Sequence, residues 1–316
     1  MKQFISVKDA PGIDTLIDRA LAYKANPFSD RTLGKDKRIG LLFFNPSLRT
    51  RISTQVAAQQ LGMEAVVFNA GTEGWALEFA DDAVMNGSTV EHVKDAAPVL
   101  GTYFDLLCIR TFPSLQDRTK DYSEQVLQQF IRYAGIPVIS LESATLHPLQ
   151  SLADMITIRE HMVGRKPKVV LTWAPHIKAT PQCVANSFSQ WANAWDQVKL
   201  TVTCPEGYQL DETFTTGATV TTDQEAALQD ADFVYVKNWS SYRDYGKVLP
   251  VMEDWMLTEE RLKHAPAAKI MHCLPVRREL ELSGALLDSN RSLVTEQAAN
   301  RVWSAQAVLA SILKAL

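Results

Sequence analysis

The alternation of short apolar runs with segments of helical period restricts the fold more than any other feature of this sequence. Such an alternation is typical of parallel β-sheets with crossover helices. The predicted strands are Arg38–Phe44, Glu64–Phe68, Leu106–Arg110, Pro137–Ser140, Lys168–Trp173, Lys199–Thr203, Phe233–Val236 and Lys269–Cys273. The predicted helices are Thr50–Gln60, Glu91–Leu100, Ser123–Tyr133, Pro148–Met162, Cys183–Trp195, Asp223–Ala231 and Thr295–Leu316, the last with a Thr cap.

A chain of 316 residues is long enough for two α/β domains of ordinary size. The predicted fold class is therefore α/β, with two domains that each contain a parallel sheet flanked by helices and with a cleft between them. Four strand–helix units are complete near Glu142–Pro148, so the hinge is predicted there. We predict that residues 1–146 and 295–316 form the first domain and that residues 147–294 form the second.

Composition excludes several classes of partner. The net charge is −4, which does not favour nucleic acid or an anionic membrane, so an anionic substrate would need a local cluster of Arg and His. The N-terminus lacks the apolar core of a signal peptide, and no apolar run is long enough to span a membrane. The four cysteines are scattered without metal-ligand spacing, which predicts free thiols in a reducing cytoplasm and no metal site. No cofactor is predicted either.

One strand–turn–helix segment, residues 38–62, has the features of an anion site. Its strand ends at Asn45 and Pro46, and Ser47, Arg49 and Thr50 then enter a helix. The first turn of a helix exposes unpaired N–H groups, to which hydroxyls and a guanidinium would add donors. The segment has no Gly-rich loop or GK[ST], so it is not a nucleotide P-loop. A serine-capped helix with an exposed arginine pair is the alternative interpretation.

Other polar residues follow other predicted strands. Arg110 closes the strand LLCIR, His147 begins the helix HPLQSLADM with Gln150 on its next turn, and HCLPVRR (272–278) follows the strand KIM. Taken singly, Arg110 would be a surface cation and His147 a helix-cap histidine. Ligands of open parallel sheets bind at the carboxyl ends of strands, where all these residues are predicted to lie.

The motifs SLRTR, HPLQ and HCLP, in this order and spacing, resemble the aspartate/ornithine carbamoyltransferase family over the whole chain. The family pattern for carbamoyl phosphate, S-x-R-T-R, is met by Ser47, Arg49, Thr50 and Arg51. HCLP is typical of the ornithine branch, whereas aspartate enzymes carry HPLPR. The D-x-W-x-S-M-G segment that holds free ornithine is absent, and Lys237 would repel an α-ammonium but suit the α-carboxylate of an acylated ornithine. With TWAPH (172–176), EGW (73–75) and KNW (237–239), the chain is similar to the N-acetylornithine and N-succinylornithine branch.

The resemblance implies an enzyme of arginine biosynthesis that transfers a carbamoyl group from carbamoyl phosphate to the δ-amine of an N-acylornithine. It implies a homotrimer in which Trp75 completes a neighbour's site, and a deep trefoil knot formed by Trp173–Pro181 and the segment after Lys237. The implied catalytic residues are Arg110, His147 and Cys273, with Cys273 positioning the amine or handling a proton. The implied carbamoyl phosphate contacts are Ser47, Leu48, Arg49, Thr50, Trp75, Arg110, His147, Pro148, Leu149, Gln150, Cys273, Leu274 and Arg301. The implied acylornithine contacts are Val90, Glu142, His176, Lys237 and Arg277.

In this interpretation, Val90 indicates whether the acceptor carries a succinyl or an acetyl group. The resemblance implies Glu at this place in acetyl-specific enzymes and Pro in the succinyl-specific pattern. A Glu about 4 Å from a succinyl carboxylate would cost on the order of 4 kcal/mol before screening. N-succinyl-L-ornithine is therefore the predicted acceptor, and N-acetyl-L-ornithine is the alternative because the neighbouring Glu91 could take the role of that Glu.

Two other classes of protein compete with this interpretation. A nicotinamide-dependent dehydrogenase would need a G-x-G-x-x-G after a strand, and none is present. A non-catalytic anion-binding homologue is the second alternative, against which the presence of Arg49, Arg110, His147 and Cys273 argues.

Overall fold

The computed structural model describes residues 1–251 and 254–316, which divide into two compact units. The first unit consists of Met1–Pro113, Thr119–Leu149 and Arg301–Leu316, and the second of Ser114–Arg118 and Gln150–Asn300. Within the described residues, no helix combines the length and apolarity needed to cross a membrane.

The first unit is built on a five-stranded parallel sheet with the order β1-β7-β6-β2-β3. The strands of the unit are Gln3–Phe4 (β1), Arg38–Phe43 (β2), Glu64–Asn69 (β3), Leu77–Glu78 (β4), Glu91–His92 (β5), Leu106–Arg110 (β6) and Val138–Glu142 (β7). Its helices are Ile13–Ala25 (α1), Arg49–Gln60 (α2), Val93–Tyr103 (α3), Arg118–Tyr122 (α4, whose first residue is assigned to the second unit) and Gln125–Tyr133 (α5). Strands β4 and β5 form a separate two-stranded parallel sheet. The central strand β6 is buried along its whole length, as expected for a parallel sheet covered on both faces.

The register of this sheet brings polar residues to one edge. Phe43 lies opposite Arg110 across β2 and β6, and Arg110 lies opposite Glu142 across β6 and β7. The ladder continues past the strand ends, because the Phe44 N–H donates to the carbonyl of Arg110 at 3.0 Å. The turn before α2, the side chain of Arg110 and that of Glu142 therefore share the carboxyl edge of the sheet.

The second unit repeats this design with the strand order β10-β9-β8-β11-β12, again all parallel. Its strands are Lys168–Trp173 (β8), Lys199–Thr203 (β9), Thr219–Thr221 (β10), Phe233–Lys237 (β11) and Lys269–Met271 (β12). Its helices are Cys183–Ala194 (α7), Glu212–Thr215 (α8), Gln224–Leu228 (α9) and Gly284–Leu287 (α10), and the division between the units falls within Pro148–His161 (α6) and Val294–Leu313 (α11). Lys237 lies opposite Trp173, and Tyr235 lies opposite Met271, so the segments after β8, β11 and β12 leave the same edge.

The predicted fold class is confirmed: both units are parallel sheets with flanking helices. The alternative interpretation, a serine-capped helix, does not hold, because the boundary residue of α2 is Leu48 rather than Ser47. Other local predictions were wrong. The last helix begins at Val294, so Thr295 lies inside it rather than at its cap. Cys273 follows β12 instead of ending it, because β12 stops at Met271.

Candidate active site

Helix α2 begins without a side-chain cap. Its boundary residue Leu48 has helical backbone angles, an exposed side chain and no capping hydrogen bond. The first N–H groups of α2 therefore keep their capacity to bind an anion, at the positive end of the helix dipole. The Nε atom of Arg49 is shielded from solvent and has no hydrogen-bond partner among the described residues. A buried cationic donor next to a helix N-terminus fits a phosphate group.

The last helix contributes to the same unit. Arg301 of α11 donates a hydrogen bond to the hydroxyl of Thr50 in the first turn of α2. Ser304, one turn further along α11, donates to the carbonyl of Leu149 at 2.6 Å. Two predicted phosphate ligands, Thr50 and Arg301, are thus in contact although they are far apart in the sequence.

Arg110 and Glu142 form a buried ion pair at the carboxyl edge of the first sheet. Both Nε and one terminal nitrogen of Arg110 contact Oε2 of Glu142, at 3.0 and 2.8 Å. The other terminal nitrogen donates to the carbonyls of Asn45 and Pro46, at 3.0 and 2.8 Å. His147, which is also buried, has Nε2 at 3.7 Å from the same Glu142 oxygen. Arg110 therefore ties the turn before α2 to Glu142 and is oriented by four polar contacts.

Glu124 fixes the loop between β7 and α6, which we call the 143–146 loop. Its Oε1 accepts hydrogen bonds from the Ser143 hydroxyl at 2.7 Å and from both the N–H and the hydroxyl of Thr145, at 2.8 and 2.6 Å. Its Oε2 accepts from the Ala144 N–H at 3.2 Å. Glu124 itself has a left-handed backbone with φ 53°, which is uncommon for residues other than glycine. The loop that leads to His147 is thus held by one carboxylate.

Trp75 and Val90 belong to a different part of the first unit, around the β4–β5 sheet. The side chains of Trp75 and Val90 are 59% and 63% exposed. The indole N–H of Trp75 donates to the carboxylate of Glu91 at 2.7 Å, and the Val90 N–H donates to the carbonyl of Ala76 at 2.8 Å. The carboxylate of Glu91 is therefore occupied by the indole.

In the second unit, three predicted acceptor-site residues lie at the end of a strand or in the segment that follows one. Lys237, at the end of β11, donates to the side-chain oxygen of Asn238 at 3.1 Å. Arg277 donates from Nε to Nε2 of His176 at 3.1 Å. Nδ1 of His176 lies 2.9 Å from the carbonyl oxygen of Lys178 and 3.1 Å from the backbone nitrogen of the same residue, so the ring is held on both sides. The result is a cationic edge formed by Lys237 and Arg277.

Glu281 is a buried carboxylate behind this edge. It accepts from Nε2 of His272 at 2.8 Å and from the backbone N–H of Arg277 at 3.3 Å. Burial alone raises the pKa of Glu281, but the His272 hydrogen bond and charge, together with the charge of Lys237, outweigh burial and leave that pKa below its usual range. Glu281 therefore stays ionised at neutral pH and orients the segment that carries Arg277.

Cys273 and Leu274 follow β12 directly. Cys273 is buried, and Leu274 has a left-handed backbone with φ 55°. The Leu274 N–H donates to Nδ1 of His272 at 2.9 Å, so the His272 ring is held between this N–H and the carboxylate of Glu281. The remaining predicted residues begin α6: Pro148, Leu149 and Gln150, whose Nε2 donates to Asp154 at 2.8 Å.

The structure thus groups the predicted residues in three sets: one at the carboxyl edge of the first sheet, one around the β4–β5 sheet and one in the second unit. In the first set, the predicted acylornithine contact Glu142 lies with Arg110 and His147. Sequence reasoning did not select Glu124, Asp154 or Glu281. Asp154 had a signal, since it stands one helical turn after Gln150, whereas the other two carboxylates act through contacts that no local pattern indicates.

Comparison with known families identifies the class of protein. Residues 2–160 match the carbamoyl-P binding domain of aspartate/ornithine carbamoyltransferase, and residues 182–312 match its Asp/Orn binding domain. The chain therefore belongs to the aspartate/ornithine carbamoyltransferase family, and the predicted resemblance is confirmed.

Individual relatives are similar over their whole length. An N-succinylornithine carbamoyltransferase of Bacteroides fragilis is 42% identical over 318 residues, covering 100% of both chains. An N-acetylornithine carbamoyltransferase of Xanthomonas campestris pv. campestris is 34% identical, covering 99% of this chain and 98% of the relative. A crystal structure of acetylornithine transcarbamylase with acetylcitrulline superposes with a TM-score of 0.90 at 34% identity, covering 99% of each chain.

Proposed function

We propose that this protein transfers the carbamoyl group of carbamoyl phosphate to the δ-amine of N-succinyl-L-ornithine, giving N-succinyl-L-citrulline and phosphate, as a step of arginine biosynthesis. The observation that carries the proposal is the set of cationic groups at the carboxyl edge of the first sheet, beside the uncapped helix α2. The N-succinylornithine carbamoyltransferase relative, at 42% identity, supports the choice of acceptor.

On the donor side, the N–H groups of α2, with Ser47, Arg49 and Thr50, would hold the phosphate group. Arg110 and His147 would donate to the carbamoyl oxygen, where negative charge develops during attack. One such preorganised donor is typically worth about 3–4 kcal/mol in the transition state. The lone pair of the δ-amine forms the new C–N bond, the bond from the carbamoyl carbon to the phosphate oxygen breaks, and the amine proton leaves with phosphate.

On the acceptor side, Lys237 and Arg277 supply positive charge at the edge of the second sheet, where His176 is held by Arg277. This charge suits a substrate with carboxylates and no α-ammonium, which describes an N-acylornithine. Cys273, buried next to His272, would position the amine or handle its proton rather than attack covalently.

The acyl group is assigned from Val90. An exposed valine offers no like charge to a succinyl carboxylate, and the Glu91 carboxylate is held by Trp75. A solved N-acetyl-L-ornithine transcarbamylase mutant, in which a glutamate is replaced by valine, is complexed with carbamyl phosphate and N-succinyl-L-norvaline, with a TM-score of 0.90 to this chain. Removal of such a glutamate is thus compatible with a succinyl ligand in that protein.

N-acetyl-L-ornithine is the second candidate acceptor, because the solved acetylornithine transcarbamylase superposes with a TM-score of 0.90. The test compares kcat/KM for N-succinyl-, N-acetyl- and free L-ornithine in the wild type, in Val90→Glu and in the control Val84→Glu. Val84 is another exposed valine of the same region. We expect the wild type to prefer the succinyl compound. Val90→Glu should lower the ratio of kcat/KM for the succinyl compound to that for the acetyl compound about tenfold or more. A tenfold change needs only about a third of the repulsion energy of about 4 kcal/mol calculated before screening. A wild type that prefers the acetyl compound would refute the assignment.

We also propose a homotrimer in which Trp75 reaches a neighbour's carbamoyl phosphate. Its exposed indole borders an apolar pocket of about 370 Å³ that is lined in part by Phe68, Leu77, Val99 and Tyr103. Exposed apolar surface of this kind is typical of protein contacts.

The knot of the second unit and the cellular location stay predictions. The knot is supported by hydrogen bonds between the segment Trp173–Pro181 and the segment after Lys237. Trp173 Nε1 donates to the Trp239 carbonyl at 2.8 Å, and the Ser240 N–H donates to the Thr180 carbonyl at 2.9 Å. A cytoplasmic location is supported by the four cysteines, which are all buried and form no disulfide.

A further inference from the structure

A buried carboxylate, Asp154, lies on α6 one turn after Gln150. Its side chain is fully buried, and its Oδ1 accepts two hydrogen bonds from side-chain amides. Nε2 of Gln150 donates at 2.8 Å, and Nε2 of Gln297 donates at 2.7 Å. An ionised carboxylate can only accept hydrogen bonds, so both amides must turn their NH2 groups toward it.

For Gln150, this arrangement decides which atom points away from Asp154. Its Oε1 is buried and has no hydrogen-bond partner among the described residues, and the side chain as a whole is only 1% exposed. A buried carbonyl oxygen without a donor is unfavourable and is found where a ligand supplies the missing N–H. Under the proposed function, the NH2 group of carbamoyl phosphate is that donor.

The NH2 group of Gln297 is also turned toward Asp154, which leaves the Gln297 side-chain oxygen to accept a hydrogen bond from the main chain after β12. With its NH2 on Asp154, its Oε1 accepts the backbone N–H of His272 at 2.8 Å. His272 directly precedes Cys273, so Gln297 holds the start of the segment that includes Cys273. One carboxylate therefore orients two amides that face different parts of the candidate site.

Tyr235 is a neighbour of Asp154 and adds no negative charge to its surroundings. Burial raises the pKa of the Tyr235 phenol, and the neighbouring Asp154 carboxylate and Cys273 raise it further. The phenol therefore stays protonated and neutral at physiological pH and adds no negative charge beside Asp154.

We propose that Asp154 is a positioning residue that fixes the polarity of the Gln150 and Gln297 amides, so that Gln150 presents only an acceptor to the carbamoyl NH2 group. This inference rests on the proposed function for the identity of the ligand. An asparagine at this position would have the same size but could donate, so Gln150 could turn and present its own NH2 to that of the substrate.

The test compares the affinity for carbamoyl phosphate with that for acetyl phosphate, in which a methyl group replaces the NH2. Binding of each compound is measured by titration calorimetry for the wild type and for Asp154→Asn. We expect the wild type to favour carbamoyl phosphate, and Asp154→Asn to lower that preference by roughly 10- to 100-fold while changing the affinity for acetyl phosphate little. A purely structural role would weaken the binding of both compounds in parallel.

The matched control is Thr157→Val on the same helix. Thr157 donates to the carbonyl of Ala153 at 2.8 Å and accepts from Asn300 of α11 at 2.9 Å, so its loss removes a buried link between α6 and α11 without touching Gln150. This control is expected to lower stability but to keep the preference for carbamoyl phosphate.

A double variant that swaps the two groups, Asp154→Asn with Gln150→Glu, should restore the preference for carbamoyl phosphate. It also tests the inference if Asp154→Asn alone does not fold. The introduced glutamate would accept hydrogen bonds from both the introduced asparagine and the ligand, so the preference should return even though the added charge weakens binding of both phosphates. An unchanged preference in Asp154→Asn, or no preference in the folded swapped pair, would overturn the inference. A wild type that does not bind carbamoyl phosphate would instead overturn the proposed function.

Discussion

Replacing Arg110 should separate its structural role from its catalytic one. Arg110 makes two contacts with Glu142 and two with the carbonyls of Asn45 and Pro46, and both members of the ion pair are buried. Arg110→Met leaves the Glu142 carboxylate buried without its cation. Breaking a buried pair in this way typically costs about 3–5 kcal/mol of stability.

The double variant Arg110→Met/Glu142→Gln removes the uncompensated charge as well. We expect it to recover most of the lost stability, with a remaining deficit of about 1–2 kcal/mol from the two carbonyls that lose their donor. Turnover should not recover, because the donor to the carbamoyl oxygen is still missing, and kcat should stay roughly 10²–10³ below the wild type.

The assays are urea unfolding followed by circular dichroism and citrulline formation at saturating substrates. Lys37→Met is the control, because the Lys37–Asp105 pair of the same unit is partly exposed and should contribute less than about 1 kcal/mol. If the double variant is as unstable as Arg110→Met, the charge of Glu142 is not the cause of the loss. If the double variant regains turnover, Arg110 has no direct part in the reaction.

Three further predictions concern other residues. The depressed pKa of Glu281 means that its stabilising contact with His272 is complete above the ordinary value of 4.5 and is lost as pH falls through the lower folded value. The urea midpoint should therefore fall less between pH 5 and 3.5 in Glu281→Gln than in the wild type; equal falls would contradict this. Glu124→Gln should lower kcat about tenfold and leave the acceptor KM nearly unchanged, because an amide cannot accept all the hydrogen bonds of the 143–146 loop; a normal kcat would remove Glu124 from the positioning of the site. Reassembled mixtures of inactive Arg49→Ala and inactive Trp75→Ala chains should regain part of the activity, and no recovery in demonstrated mixed trimers would mean that Trp75 acts within its own chain.

The strands were the most predictable part of the fold. Leu106–Arg110, Lys168–Trp173 and Lys199–Thr203 have the predicted bounds, because apolar and β-branched residues in runs of this length are typical of parallel strands. The helix Ile13–Ala25 was not predicted, and its boundary residue Gly12 makes no side-chain cap that could have marked its start. The edge strand Thr219–Thr221 was also missed, since it is short and mostly exposed and has no apolar pattern.

For the candidate site, the sequence indicated the cations but not the contacts that orient them. Arg110 was predictable because a charged residue at the end of a buried strand must leave the sheet at its carboxyl edge. The bond between Arg277 and His176 joins residues 101 positions apart, so it depends on the order of β8, β11 and β12 in the sheet. Strand order is set by tertiary packing, so local sequence patterns do not predict it.

Three oriented groups of the candidate site have a feature in common, because a buried carboxylate contacts each of the three. Glu142 stands behind Arg110, Glu281 behind His272, and Asp154 behind Gln150. Each carboxylate reduces the local positive charge, so it weakens the general attraction for anions. It also fixes the direction of the group that it contacts, and such fixed donors and acceptors stabilise a developing charge without reorganisation. A chain of net charge −4 can therefore bind a doubly charged phosphate by the geometry of its donors rather than by a positive surface. Salt should accordingly weaken carbamoyl phosphate binding only modestly, whereas neutralising Asp154 should change which ligand is preferred.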